Sequence, residues 1–245
     1  MGESRSFIGR LAGILLAAGL ALAALTAGAA EERAESVKIG IIGTGNIGSA
    51  LARLWVDAGH EVLISSRHPE RLQSLASELG PRARTGTPRE AAAFGEVILL
   101  AVPYAATPQI GRDYAGELAG KVVLDAGNPI PSRDGAMAEE ARQEGAGLAS
   151  RGFLPGVRLV RAFNAISASN IRSQAHRSGE RLGIPLAGDD PQALEVASGL
   201  VRDAGFDPVI VGPLSSAKRF DYGTGISAKA LTARGLREEL GLAQP

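Results

Sequence analysis

Cysteine is absent from this chain of 245 residues, which excludes disulfides, cysteine-ligated iron–sulfur clusters and thiol nucleophiles. Any redox chemistry must therefore ride on an organic cofactor or on a metal held by other ligands. Net charge is also lacking, since 26 Lys and Arg balance 26 Asp and Glu. No basic stripe stands ready to neutralise a phosphate backbone, which argues against a nucleic-acid partner. Histidine is scarce: His60, His68 and His176 show no metal-ligand spacing, each reads as a loop or surface residue, and no metal site is expected. No internal repeat or long low-complexity linker interrupts residues 36–212. A chain of this size supports one good core with a small appendage.

What is present is concentrated in Val37-Lys38-Ile39-Gly40-Ile41-Ile42-Gly43-Thr44-Gly45-Asn46-Ile47-Gly48, an apolar run that breaks into G-x-G-x-x-G and opens an amphipathic helix. That pattern predicts a dinucleotide pyrophosphate site. Gly43 permits the tight turn out of the strand, Gly45 removes a Cβ that would meet the pyrophosphate, and Gly48 lets the helix pack close to the sheet. Free backbone N–H groups at the helix start face the anion. The second strand, His60 to Ser65, ends about 20 residues after the glycines, where the adenosine ribose belongs. An NAD enzyme places Asp or Glu there. This chain offers Ser65, Ser66 and Arg67, with Arg71 one helical turn further on. Hydroxyls and guanidinium groups hydrogen-bond a 2′-phosphate that a carboxylate would repel, so the charge argues for NADP.

From Ser36 onward strand and helix signals alternate, predicting an α/β fold: a Rossmann-type doubly wound, mostly parallel sheet with a short helical C-terminal extension. Pro69 opens a helix running to Leu79, and Thr87-Pro88-Arg89-Glu90 is a capping box for a short helix ending near Phe94. Glu96 to Val102 is a strand, apolar from Val97 onward, whose carboxyl end reaches Pro103-Tyr104. Further strands are expected at Lys121 to Asp125, Arg158 to Asn164, Gly183 to Ala187 and Pro208 to Val211. Asp190-Pro191 reads as cap and first residue of a helix reaching Ala204, a better account of the adjacent Asp189 and Asp190 than a paired-carboxylate site. The NADP-binding domain is thus assigned to residues 37–212. Residues 213–245 form a tail, helical near 228–240, that covers the crevice or serves a dimer.

Residues 1–30 stand apart from this pattern. Arg5 and Arg10 precede an apolar segment from Leu11 to Ala30, after which Glu31 and Glu32 begin a polar linker over residues 31–36. The small residues around Ala27-Gly28-Ala29 suit signal peptidase, so export to a periplasmic or extracytoplasmic compartment is expected. A retained membrane anchor through residues 11–30 is the alternative, as is a cytoplasmic chain if the signal is non-functional. Glu3-Ser4-Arg5-Ser6-Phe7-Ile8 is similar to a twin-arginine signal with Ser4 where the first Arg would stand, and that route exports folded, cofactor-loaded proteins.

Four segments together carry a wider likeness: Gly43-Thr44-Gly45-Asn46-Ile47-Gly48; Ser66-Arg67 with Arg71; Ala101-Val102-Pro103-Tyr104; and Leu186-Ala187-Gly188-Asp189-Asp190 with Gly212-Pro213-Leu214. On these the chain resembles the NADPH-dependent coenzyme F420 reductase family, whose Rossmann domain also occurs in STEAP-type metalloreductases. The resemblance implies that Thr44, Asn46 and Ile47 hold the pyrophosphate and that Ser66, Arg67 and Arg71 hold the 2′-phosphate. It further implies that Val102, Pro103 and Tyr104 face the nicotinamide, and that Asn164, Ala165 and Ile166 meet the nicotinamide and the acceptor ring. Hydride passes directly between nicotinamide and deazaflavin in this family, no protein acid or base is obligatory, and a homodimer is one implied arrangement. Residues 129–156, with Arg133, Asp134, Glu139 and Glu140, match no family motif, so acceptor contacts there are not inherited. The resulting expectation is an oxidoreductase moving hydride between NADPH and a diffusible flavin or F420-type acceptor. An NADPH-dependent ferric or flavin reductase and a non-catalytic nucleotide sensor are the alternatives.

Overall fold

The computed structural model describes residues 36–244, so the expected signal, anchor and most of the linker lie outside the described residues. Residues 37–245 make up one compact unit. Its sheet contains β1 (Lys38–Ile42), β2 (Glu61–Ser65), β3 (Ala83–Gly86), β4 (Val97–Leu100), β5 (Val122–Asp125), β6 (Arg158–Arg161), β7 (Gly183–Gly188) and β8 (Asp207–Gly212). They lie in the order β3-β2-β1-β4-β5-β6-β7-β8. The first six are mutually parallel, with Ile41 of β1 opposite Ile64 of β2 and Leu99 of β4. Chain order reverses between β1 and β4, which opens a crevice at the carboxyl ends of those two strands.

Burial on both faces explains why the central strands are continuous apolar runs, as in Val97-Ile98-Leu99-Leu100, all four buried. One face is covered by α1 (Asn46–Asp57) and α10 (Pro191–Asp203), which Trp55 joins. The Trp55 indole N–H donates to the Leu200 carbonyl at 2.9 Å, and its ring meets Phe163 edge-on at 6.0 Å. The other face carries α3 (Pro88–Phe94) and α4 (Thr107–Asp113) over Ile42, Ile98, Leu100 and Val123. Thr87 caps α3 through the reciprocal bonds of a capping box with Glu90. Asp190 caps α10 by accepting from the Gln192 and Ala193 N–H groups and also pairs with Arg158, while Asp189 accepts from the Leu214 N–H, so the two carboxylates do not form a joint site.

Two expectations need correction. β3 is a strand the sequence pattern did not predict: Ala83-Arg84-Thr85-Gly86 carries a charge and no apolar run because it is the sheet's edge. The sheet is mostly parallel, as expected: β7 runs antiparallel to β6 and β8 runs parallel to β7, so the last two strands reverse the sheet's direction. His60 is buried, not superficial: its Nδ1 accepts from the Val37 N–H at 3.2 Å and its Nε2 faces Asp203 at 3.1 Å, closing the start of β1 onto the end of α10.

Residues 129–156, left without a motif, fold into α6 (Pro131–Asp134), α7 (Ala136–Glu144) and α8 (Ala146–Phe153), following the short α5 (Ala115–Leu118). The segment after β8 returns over the sheet. A 3-10 turn at Leu214–Arg219 and α11 (Ala233–Glu239) bury Phe220, Ile226, Leu236 and Leu240 against Val209 and Val211 of β8.

Candidate functional site

The three motif glycines meet three different surroundings. Gly43 has φ +99°, a conformation that favours glycine, and a Cβ there would stand 2.5 Å from the Ala101 carbonyl oxygen. A Cβ on Gly48 would stand 2.2 Å from the Gly43 carbonyl oxygen, so α1 packs on the turn only because that Cβ is missing. At Gly45 nothing lies within 4 Å of the same position: the space is open toward the crevice. α1 starts there without a side-chain cap and without an acidic residue in its first turn, leaving its first N–H groups to an anion. Thr44 does not reach into that space, because its hydroxyl donates to the Ser65 carbonyl at 3.0 Å and fastens the loop to the end of β2.

A cavity of about 640 Å³ extends from this loop over the end of β2. Gly43, Ser66, Arg67, Val102 and Pro103 line it, with Ala106, Gln109, Ile110, Asp113 and Tyr114 on the far wall. Ser66 Oγ accepts from the His68 N–H at 2.8 Å, which leaves the hydroxyl proton free to donate. Arg67 is exposed and forms no ion pair with a described residue. An unpaired guanidinium beside a free hydroxyl is the donor set a 2′-phosphate requires, and the open cradle at Gly45 is where a pyrophosphate would lie. The residues therefore fit NADP.

Two members of the predicted phosphate set are placed elsewhere. Ser65 is fully buried and its hydroxyl donates to the Ile41 carbonyl at 2.7 Å, a bond between the first two strands. Arg71 belongs to the exposed 3-10 turn Pro69–Leu72 that precedes α2 (Gln73–Leu79) and does not line the cavity.

Beyond Val102 and Pro103 the crevice continues into a second cavity of about 250 Å³. Asn46 and Ile47 from the glycine loop line one side, and Ala126, Asn128, Ile130 and Arg133 from the loop after β5 line the other. Sequence reasoning passed over these last four. The signal was available in their position directly after a central strand's carboxyl end, one strand from the switch point.

Tyr104 is not beside this cavity. Its ring is fully buried under α8, its hydroxyl 2.9 Å from the Ala146 carbonyl and 3.0 Å from Ser150 Oγ, and burial holds its pKa well above the ordinary phenol value. Asn164, Ala165 and Ile166 are likewise buried, at 4%, 5% and 8% exposure, the first two against the returning tail and Ile166 in the main core. Asn164 Nδ2 donates to the Phe220 carbonyl at 3.3 Å, and the Ala165 carbonyl accepts from the Ala228 N–H. Asn164 still acts on the site through its backbone, since its carbonyl accepts from Asn128 Nδ2 at 2.8 Å. The preceding Phe163 has φ +61°, an uncommon conformation for a residue with a side chain.

A buried ion triad underpins the second cavity. Arg161, with no exposed surface, lies 2.8 Å from Asp125 and 3.1 Å from Asp221 and donates to the Gly127 carbonyl at 2.7 Å. Asp125 accepts from the Gly127 N–H at 2.8 Å, and Asp221 accepts from the Ala146 N–H at 2.9 Å. Burial pushes the Arg161 pKa down, but the two carboxylates outweigh it and hold the guanidinium above its ordinary value. One charge cluster thus joins the ends of β5 and β6, the start of α8 and the tail, and it sets the backbone of the loop that carries Asn128.

A switch-point crevice, an open glycine cradle and an unpaired arginine at the ribose end define a Rossmann-class binder of NADP. Residues 38–129 match the family described as NADP oxidoreductase, coenzyme F420-dependent. The chain is 33% identical over 196 residues to the F420-dependent NADP reductase of Methanothermobacter thermautotrophicus, covering 74% of this chain and 84% of that protein. It belongs to the F420-dependent NADP reductase family and is an NADP-dependent oxidoreductase. It is also 32% identical over 195 residues to the metalloreductase STEAP3 of Rattus norvegicus, covering 78% of this chain but only 37% of that longer protein. Among solved structures, a candidate F420-dependent NADP reductase from Arthrobacter sp. FB24 superimposes with a TM-score of 0.65 at 25% identity, covering 75% of this chain and 88% of that one.

Proposed function

We propose that this protein transfers hydride between NADPH and a flat-ring diffusible acceptor, a deazaflavin of the F420 type or a flavin. One observation carries the reading: the second cavity's lining contains no Asp, Glu, His, Lys or Tyr. Reduction of a carbonyl or imine needs a proton donor near the reacting atom. Hydride exchange between two flat rings needs only approximation at about 3 to 3.5 Å and exclusion of water. The walls suit that task. Ile47, Val102, Pro103 and Ile130 present apolar surface, Ser66 and Arg67 hold the 2′-phosphate at the other end, and the open space at Gly45 takes the pyrophosphate. Bound NADPH supplies the hydride; the chain supplies position.

Anaerobic mixing of the NADPH complex with F420, with FMN and with a ferric chelate tests this directly. The expected outcome is stoichiometric loss of the F420 or FMN chromophore absorbance. Tight NADPH binding without turnover of any acceptor would instead establish a nucleotide sensor, and reduction of the ferric chelate alone would establish the metalloreductase reading. We also propose that the chain acts outside the cytoplasm, on the strength of Arg5, Arg10 and the apolar segment that follows. Fractionation of cells carrying the full chain, with and without residues 1–30, tests that assignment.

A further inference from the structure

The second cavity is lined by one charged side chain, Arg133, and the manner in which it is held bears on what the acceptor must carry. Pro129 and Pro131 restrict the loop that leads to it, and α6 gives it a single helical turn ending at Gly135. The Arg133 guanidinium is engaged along one edge. Nε and Nη2 donate to Asp134 at 2.9 and 2.7 Å, and Nη2 also donates to the Asn128 carbonyl at 2.7 Å. Nη1 has no hydrogen-bond partner among the described residues, and the side chain is 42% exposed, whereas that of Asp134 is 1% exposed. Asp134 does not rely on Arg133 alone, because its carboxylate also accepts from the Ile130 N–H at 3.0 Å and the Ala105 N–H at 3.4 Å. An arginine needed only to neutralise a buried carboxylate has no reason to line the cavity with two N–H donors unused.

We propose that Arg133 is a specificity-determining residue of the acceptor site, its Nη1 donating to an anionic group, phosphate or carboxylate, on the side chain of the flat-ring acceptor. This rests on the hydride-transfer reading given above and adds to it the charge the acceptor must bear. Asp134 offsets the charge of Arg133, so the contact acts as a directed, charge-assisted hydrogen bond and not as a long-range field. Its effect falls on acceptor affinity, not on the 2′-phosphate of NADPH, which Ser66 and Arg67 meet at the other end of the crevice.

FMN and riboflavin share one ring and differ by a phosphate; F420 and the same deazaflavin stripped of its anionic side chain form a second such pair. For whichever pair turns over, kcat/KM is measured at saturating NADPH, and acceptor binding to the protein–NADP complex is followed by acceptor fluorescence. The wild type is expected to favour the anionic member by about tenfold, Arg133→Gln to bring that ratio to about one, and Arg133→Lys to restore part of it. NADPH affinity should change by less than about twofold in either variant. A ratio near one in the wild type overturns the proposal, and so does a ratio that survives Arg133→Gln or a loss of NADPH affinity as large as the loss of acceptor affinity. Should Arg133→Gln fail to fold, the wild-type ratio and Arg133→Lys still decide. If neither pair is reduced, the flat-ring acceptor reading itself falls and this one with it; reduction without discrimination removes only the role of Arg133.

Discussion

At the β2 end of the crevice, the groups offered to a ligand come from short stretches of chain and have few internal partners: Gly45 opens onto space, Ser66 retains a free proton and Arg67 has no ion pair among the described residues. At the β5 end the site is wired from distant parts of the sequence. Asp125, Arg161 and Asp221 form one buried cluster, Asn128 leans on Asn164, and Arg133 and Asp134 bind the loops after β4 and β5 together. The first arrangement suits a constant ligand whose phosphates bring their own charge. The second spends its polar groups on holding the walls still, as expected where two rings must meet at a fixed distance. Substitutions should therefore separate the two ends, costing affinity at one and stability at the other.

The largest effect should come from Arg161→Met, which strands two buried carboxylates. Removing one partner of such a cluster costs about 3–5 kcal/mol. Urea denaturation is expected to show that loss, and a variant as stable as the wild type would mean that the triad does not hold the β5 end together. The glycine motif offers a sharper contrast within six residues. Gly48→Ala places a Cβ 2.2 Å from a carbonyl oxygen and should lower stability by about 1–3 kcal/mol through overpacking. Gly45→Ala meets no protein atom, so the unfolding midpoint should stay near that of the wild type while NADPH affinity falls by about tenfold or more. If both substitutions act on stability alone, the space at Gly45 is not the pyrophosphate cradle.

This division also explains what could be read from the sequence. The glycine cradle, the Thr87 and Asp190 caps and the central strands depend on residues a few positions apart, so pattern and spacing suffice to place them. Arg161 is different. It sits in a strand whose apolar neighbours predict burial, yet its partners Asp125 and Asp221 lie 36 and 60 residues away, and nothing local reveals that they meet. The burial of Asn164 and Ala165 is hidden for the same reason, since the tail packed on them arrives from beyond β8. The resemblance places Tyr104 at the nicotinamide, but its partners on α8 come from the stretch for which the sequence offers no motif. The edge strand β3 was invisible because an edge needs no apolar run.

A smaller effect tests the cofactor end. Arg67→Ala should weaken NADPH by about 1–3 kcal/mol, the worth of a charged hydrogen bond, and leave NADH nearly unchanged. Arg71→Ala, outside the cavity, should change neither by more than about twofold. Isothermal titration with both nucleotides decides the matter: equal losses for NADPH and NADH in Arg67→Ala would remove the 2′-phosphate contact, and a larger loss in Arg71→Ala would transfer it.

The smallest effect belongs to the clamp between the loops after β4 and β5, and it is a dependence on pH. Burial pushes the Asp134 carboxyl up, but hydrogen bonds from Arg133 and from the Ile130 and Ala105 N–H groups outweigh it and hold its pKa below the ordinary carboxylate value. A group whose folded pKa is depressed contributes stability in full above its unfolded pKa, roughly 4, and loses it as pH falls through the folded value. Asp134→Asn removes that titration. Stability measured from pH 5 down to pH 3 should therefore fall more steeply in the wild type than in the variant, with the two curves parallel above pH 5. Parallel curves throughout would mean that the carboxylate titrates alike folded and unfolded, and that the β5 end owes its rigidity to the Arg161 cluster alone.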